Sequence, residues 1–292
     1  MTKKSINPGQ QNLVTEGKHM YIPNRFAKVI DTHLLGNFLN IDRFPLILAI
    51  IGQPGMGKTY QLRNYLKAVG VTILSVNAAD LESDCAGEPA KLLQQKYIEA
   101  SSIIRTGQPA VLLIDDIDTT LGEWENYTGT VNHQDILAFL MHIADNPEFI
   151  ENVGETTRVP IFFTGNDFDR LYKPLLREGR ANRFDWEPTR EEKINIVSSI
   201  FSFSNREIAE MLVDAYPTEK ISYFSNLLVN KEMELLSDLS NNVVIKYILT
   251  DINYKEKLLS QYQKITKKIR WDVIAKDAVE NSKNSNAEQL NA

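Results

Sequence analysis

Cysteine is nearly absent from this 292-residue chain, which has only Cys85. One thiol cannot form an intramolecular disulfide, and no cysteine cluster is available for zinc or an iron–sulfur centre. A reducing compartment, the cytoplasm, is therefore expected. The four histidines, His19, His33, His133 and His142, fall into no metal-ligand spacing. Long apolar runs are missing too: the longest, over residues 44–51, falls far short of the roughly 18 residues that a membrane helix needs. Basic excess is also lacking. Lys and Arg number 32 against 38 Asp and Glu, for a net charge of −6, which removes the global electrostatic case for nucleic acid or an anionic membrane as the main partner. The apolar share of 43% and charged share of 24% are those of an ordinary globular protein and exclude a wholly disordered or collagen-like chain.

At roughly 150 residues per domain the length suggests about two domains. Residues 1–17 carry Lys3 and Lys4 with no apolar segment behind them, so they do not read as a secretory signal. A disordered leader is expected over residues 1–20. A helical spacing follows over 25–39, then a continuous apolar strand over 45–51 bounded by Pro45 and Gly52. Helices over 58–68, 88–105 and 131–144 then alternate with strands over 71–76, 110–114 and 159–164. Beyond Phe184-Asp185-Trp186 the strands stop, and helices are expected over 190–201, 205–215, 221–239, 243–249 and 254–276. This pattern predicts an α/β nucleotide-binding core over 21–187, with a parallel five-stranded sheet flanked by helices. An all-α domain over 188–277 and a disordered tail over 278–292 are expected to follow.

Gly52-Gln53-Pro54-Gly55-Met56-Gly57-Lys58-Thr59, followed by Tyr60, matches the phosphate-binding pattern G-x-x-x-x-G-K-[ST] in full. It stands between a buried strand and a helix, as the mechanism requires. Glycines let backbone N–H groups wrap phosphates, and the helix directs its positive end at them. Lys58 would bridge the β and γ phosphates of ATP, and the Thr59 hydroxyl would reach Mg2+.

The apolar run Val111 to Ile114 ends in Asp115 and Asp116. Alone, such carboxylates simply cap a turn; beside a phosphate loop, Asp115 would hold Mg2+ through water and Asp116 would orient or deprotonate the attacking water. Asn166, at the end of the strand over 159–164, either caps a turn or holds that water. Arg177 and Arg180 lie one helical turn apart. They suit either a solvated terminus or charge stabilisation at the γ phosphate of a neighbouring subunit.

In this order, phosphate loop, Asp115-Asp116, Asn166, the arginine pair and a helical lid, the chain resembles the AAA+ ATPases. Residues 86–91, 144–147, 164–168 and 186–191, with Tyr21-Ile22 and Arg25-Phe26, make it similar to one branch, the Rubisco activases, over about residues 21–230. That resemblance implies a hexameric ring with ATP between subunits, Arg177 and Arg180 acting across the interface, and a protein client remodelled at the central pore. In activases the client is Rubisco, freed of inhibitory sugar phosphates. Two segments would face the pore, one with Asp84, Cys85 and Ala86 and the other with Trp124 and Tyr127.

The departures are specific. The first pore segment lacks an aromatic residue, as activases do. Asp115 stands where activases commonly have Asn. Residues 226–230 supply no lid arginine, and no segment of these 292 residues reads as a domain resembling the Rubisco small subunit. Three function classes compete: a remodeller acting on Rubisco or on an unrelated assembly, a nucleic-acid loader, and a nucleotide-gated scaffold. Asp84, Glu88, Glu123 and Glu125 argue against nucleic acid. The intact Asp116, Asn166 and arginine pair argue against a passive scaffold.

Overall fold

A computed structural model describes residues 12–15, 18–81, 87–118, 131–167, 173–202, 205–239, 248 and 250–290. It divides into two compact units, Met1–Glu187 and Pro188–Ala292.

The first unit opens with two short strands, β1 (Asn12–Thr15) and β2 (Lys18–Tyr21), paired antiparallel. This hairpin stands where the sequence suggests a disordered leader; strands of four residues with few apolar positions give almost no periodic signal. The core elements are α1 (Asn24–Phe38), β3 (Ile47–Ile51), α2 (Lys58–Ala68), β4 (Thr72–Asn77), α3 (Glu88–Arg105) and β5 (Ala110–Asp115). After them come α4 (Val131–Asp145), a small hairpin of β6 (Phe149–Ile150) with β7 (Gly154–Glu155), then β8 (Ile161–Gly165) and β9 (Ala181–Asp185). The small hairpin lies between the helix expected over 131–144 and the strand expected over 159–164.

Five strands form one parallel sheet in the order β4-β5-β8-β3-β9. β3 lies inside the sheet between β8 and β9, and all five of its residues are buried, as a parallel strand covered on both faces must be. Alternation sorts its side chains. Ile47, Ala49 and Ile51 join a cluster with Leu93 and Tyr97 of α3 and Leu140 and Ile143 of α4. The register sets the site: Ile51 lies opposite Gly165, and Asn77 opposite Asp115. The ends of β3, β5 and β8 thus come together at the carboxyl edge of the sheet, where ligands of open α/β sheets bind.

A buried polar network ties α1 to this sheet. Asn37 Nδ2 donates to the carbonyls of His33 (2.9 Å) and Pro45 (3.2 Å), while its Oδ1 accepts from Arg158 Nε at 2.7 Å. The His33 ring meets Phe162 edge-on at 5.0 Å. Burial lowers the pKa of His33 to about 3, against the opposing pull of backbone groups of Ile161 and Leu46. A depressed native pKa means that the unfolded chain binds the proton first, so stability is full above about pH 6.5 and falls as pH drops toward 3. His33→Phe is expected to flatten the acid limb of a melting-temperature profile, removing up to about 1.4 kcal/mol per pH unit of acid sensitivity; an unchanged acid limb would contradict this.

The second unit contains α5 (Arg190–Phe201), α6 (Arg206–Ala215), α7 (Ile221–Leu239), α8 (Ile252–Thr266) and α9 (Trp271–Leu290). Thr189 and Glu192 form a reciprocal capping box at the start of α5. Ile194, Val197, Leu212, Val213, Phe224 and Ala275 build its core. The sequence suggests one helix over 254–276, yet the chain breaks after Thr266. Neither Gly nor Pro causes the break: α9 redirects so that Trp271 packs edge-on against Phe201 at 4.6 Å and Ala275 enters the core. α9 then runs to Leu290, where a disordered tail is expected. The expected helix over 243–249 lies outside the described residues save Ile248, which is in a turn. Among the described residues no helix is long and apolar enough to cross a membrane.

Candidate active site

The loop after β3 is built to bring backbone close to a ligand. Gly55 and Gly57 have φ of 82° and 77°, in the left-handed region that a side chain would strain. A Cβ on Gly52 would lie 2.2 Å from the carbonyl oxygen of Trp186. Gly57 caps α2, so the first N–H groups of that helix point into the loop. Lys58, buried, donates from Nζ to the carbonyls of Gly52 (2.6 Å) and Gln53 (3.1 Å) and to Asn166 Oδ1 (3.0 Å). Pro54 and Tyr60 are exposed and Met56 is buried.

Thr59 Oγ1 donates to Asp115 Oδ1 at 2.7 Å and lies 3.2 Å from Thr164 Oγ1, which also donates to Asp115. A hydroxyl and a carboxylate presented together are hard oxygen donors of the kind Mg2+ prefers, and the glycine cradle with Lys58 fits a polyphosphate. Asp116 follows with φ of 51°, a left-handed turn that re-aims its side chain away from the strand direction. Its carboxyl pKa is raised, first by desolvation and then by the neighbouring charges of Asp115 and Asp118, with Lys58 opposing.

Four of the residues expected from sequence are thus joined in two hydrogen-bonded pairs, Lys58 with Asn166 and Thr59 with Asp115, and Asp116 follows Asp115 in the chain. Arg180 is held elsewhere. Its Nε and Nη2 donate to the Asp145 carboxylate at 2.7 and 2.6 Å, and Nη1 donates to the Pro174 carbonyl at 2.7 Å. The Arg180–Asp145 hydrogen bonds lower the pKa of Asp145 and raise that of Arg180. Arg177 is exposed. Asp84, Cys85, Ala86, Trp124 and Tyr127 lie outside the described residues. The flanks of their two segments do meet, since Gly87 N–H donates to Asn132 Oδ1 at 2.7 Å.

Sequence reasoning overlooked three positioning residues. Asp118 is buried, and its Oδ2 accepts from the backbone N–H groups of Asn166 (2.9 Å) and Asp167 (3.1 Å), fixing where Asn166 stands. Trp186, fully buried, donates from Nε1 to the Met56 carbonyl at 2.9 Å and so braces the phosphate loop. Arg25 stacks over Trp186 at 4.7 Å and donates to the Glu187 carbonyl. Asp118 stands out in sequence only as the third acid of Asp115-Asp116-Ile117-Asp118; its contact with Asn166, like those of Trp186 and Arg25, joins residues far apart in sequence.

Residues 48–188 match the model of the AAA family, described as ATPases associated with various cellular activities. The match spans just under half of the chain. Over 219 residues, 71% of the chain, it is 43% identical to the ribulose bisphosphate carboxylase/oxygenase activase of Nostoc sp. (strain PCC 7120 / SAG 25.82 / UTEX 2576), covering 53% of that protein. It is 41% identical over 228 residues to activase 1 of Nicotiana tabacum, covering 75% of the chain and 52% of the relative. The activase of Chlamydomonas reinhardtii is 42% identical over 217 residues, 71% of the chain and 53% of the relative. The chain is thus similar to Rubisco activases, and it spans about half the length of these relatives.

Proposed function

We propose that the chain is an ATP-hydrolysing protein remodeller of the Rubisco activase type, with Rubisco as its client. The observation that carries this reading is the Lys58–Asn166 and Thr59–Asp115 pair of contacts within one glycine-lined loop, in a domain similar to activases. Residues 21–187 act as the nucleotide-binding domain and 188–277 as a helical lid. When bound, Mg·ATP supplies the transferable γ-phosphoryl group and the cation that neutralises its charge. Gly52 to Gly57 and Lys58 bind the phosphates, and Thr59 and Asp115 hold Mg2+, Asp115 through water. Asp116 takes the proton of the attacking water, and a raised pKa makes it a better base than an ordinary carboxylate. Asn166, fixed by Asp118, positions that water.

Six copies form a ring in the cytoplasm, in which Arg177 and Arg180 act on the neighbour's nucleotide. The segments with Asp84, Cys85 and Ala86 and with Trp124 and Tyr127 face the client. Incubating the chain and ATP with Rubisco blocked by a tight-binding sugar phosphate tests the client. Recovery of carboxylation that requires hydrolysable ATP supports Rubisco. ATP turnover without recovery rejects Rubisco and leaves a remodeller of another assembly.

A further inference from the structure

α2 presents a second cation to the site. Arg63 lies four residues beyond Thr59, which places both on one face of the helix. Its Nη1 donates to Ser75 Oγ of β4 at 2.9 Å, and its Nη2 donates to Asp115 Oδ2 at 3.2 Å. Asp115 therefore divides its oxygens: Oδ1 accepts from the hydroxyls of Thr59 and Thr164, and Oδ2 from the guanidinium. Ser75 holds the guanidinium in place, so this is not a freely swinging surface arginine. With 33% of the Arg63 side chain and 14% of the Asp115 side chain exposed, solvent screens the pair only partly. The surroundings are otherwise acidic, since Asp115, Asp116 and Asp118 crowd one strand end and Lys58 opposes them.

We propose that Arg63 is a positioning residue that sets the magnesium requirement of this site. By pairing with Asp115 it offsets part of the charge offered to the cation and directs Oδ1, not Oδ2, toward the Thr59 hydroxyl. This rests on the assignment of nucleotide and Mg2+ to the pocket made above. The pairing makes a sharp demand. Removing the guanidinium leaves a more negative carboxylate, so less Mg2+ suffices to hold the nucleotide; removing the carboxylate as well cancels that gain.

The test is a magnesium titration of the binding of a fluorescent ADP analogue to the full chain, with melting temperature measured alongside. Arg63→Gln is expected to lower the Mg2+ concentration for half-maximal binding about fivefold, with the affinity measured in excess EDTA unchanged. Arg63→Lys, which keeps the charge, is expected to stay near wild type. In an Asp115→Asn background, Arg63→Gln is expected to give no such decrease. An unchanged Mg2+ requirement in Arg63→Gln, the same decrease in the Asp115→Asn background, or binding that is independent of Mg2+ in the wild type would each overturn the proposal. Wild-type protein that binds no analogue at any Mg2+ concentration would instead defeat the nucleotide assignment. Should Arg63→Gln not fold, Ser75→Ala releases the guanidinium and is expected to shift the requirement in the same direction by a smaller factor; no shift there overturns the proposal equally.

Discussion

Lys58→Ala is expected to weaken ATP binding by about a hundredfold or more, equivalent to roughly 2.7 kcal/mol, as loss of a charge-assisted contact to phosphate in a partly desolvated site requires. The structure gives a second reason for a large effect. Lys58 Nζ is the donor that gathers the Gly52 and Gln53 carbonyls and Asn166 Oδ1 around one point. Without it three acceptors face one another with no proton between them, and the loop loses the shape that its glycines permit. Equilibrium binding of a fluorescent nucleotide measures this directly. Unchanged affinity would remove the loop from the binding site. Because Trp186 braces the same loop from the Met56 carbonyl, the fold itself is expected to survive the substitution, with a melting temperature close to wild type.

Arg180→Ala is expected to act on turnover instead, lowering it about a thousandfold with nucleotide affinity retained, the behaviour of an arginine that stabilises transition-state charge. In the isolated chain all three guanidinium nitrogens of Arg180 are engaged, two by Asp145 and one by the Pro174 carbonyl. Action on a neighbour's nucleotide therefore requires Asp145 to be exchanged for phosphate oxygens, an exchange of one oxyanion for another that keeps the hydrogen-bond geometry. Mixed assemblies separate the roles. Subunits with Arg180→Ala are expected to bind ATP but lack the arginine, and subunits with Lys58→Ala to carry the arginine but bind ATP only weakly. Mixing the two is expected to restore part of the turnover that neither has alone. Full activity of Arg180→Ala by itself would refute the role in trans.

The phosphate loop was legible because its signal is local: the glycines, Lys58 and Thr59 are contiguous, and a buried strand and a helix flank them. The ends of α2, α3, α5 and α7 match the expected helices residue for residue, since each has a sustained apolar stripe with a cap or turn at its borders. What escaped depends on the register of the sheet. Arg63 reaches Asp115 because α2 packs against β4, which pairs with β5, and Asp118 meets Asn166 because β5 and β8 are neighbours. No spacing in the chain encodes either contact. Trp186 reads simply as the end of a strand, although its backbone N–H donates to Ile51 and its indole to Met56. The break between α8 and α9 was likewise hidden, because the packing of Trp271 on Phe201 decides it rather than a helix-breaking residue. Arg180 was singled out from its order in the chain, but nothing in the sequence signalled its tie to Asp145 at the end of α4.

The central claim is that this pocket hydrolyses ATP with Asp116 as its base, and steady-state phosphate release from ATP tests it most directly. The wild-type chain with Mg2+ is expected to turn ATP over, and Asp116→Asn, which keeps shape but removes the proton acceptor, is expected to bind ATP and release phosphate at least about a hundredfold more slowly. Equal rates for the two proteins, or no phosphate release by wild type that binds Mg·ATP, would contradict it.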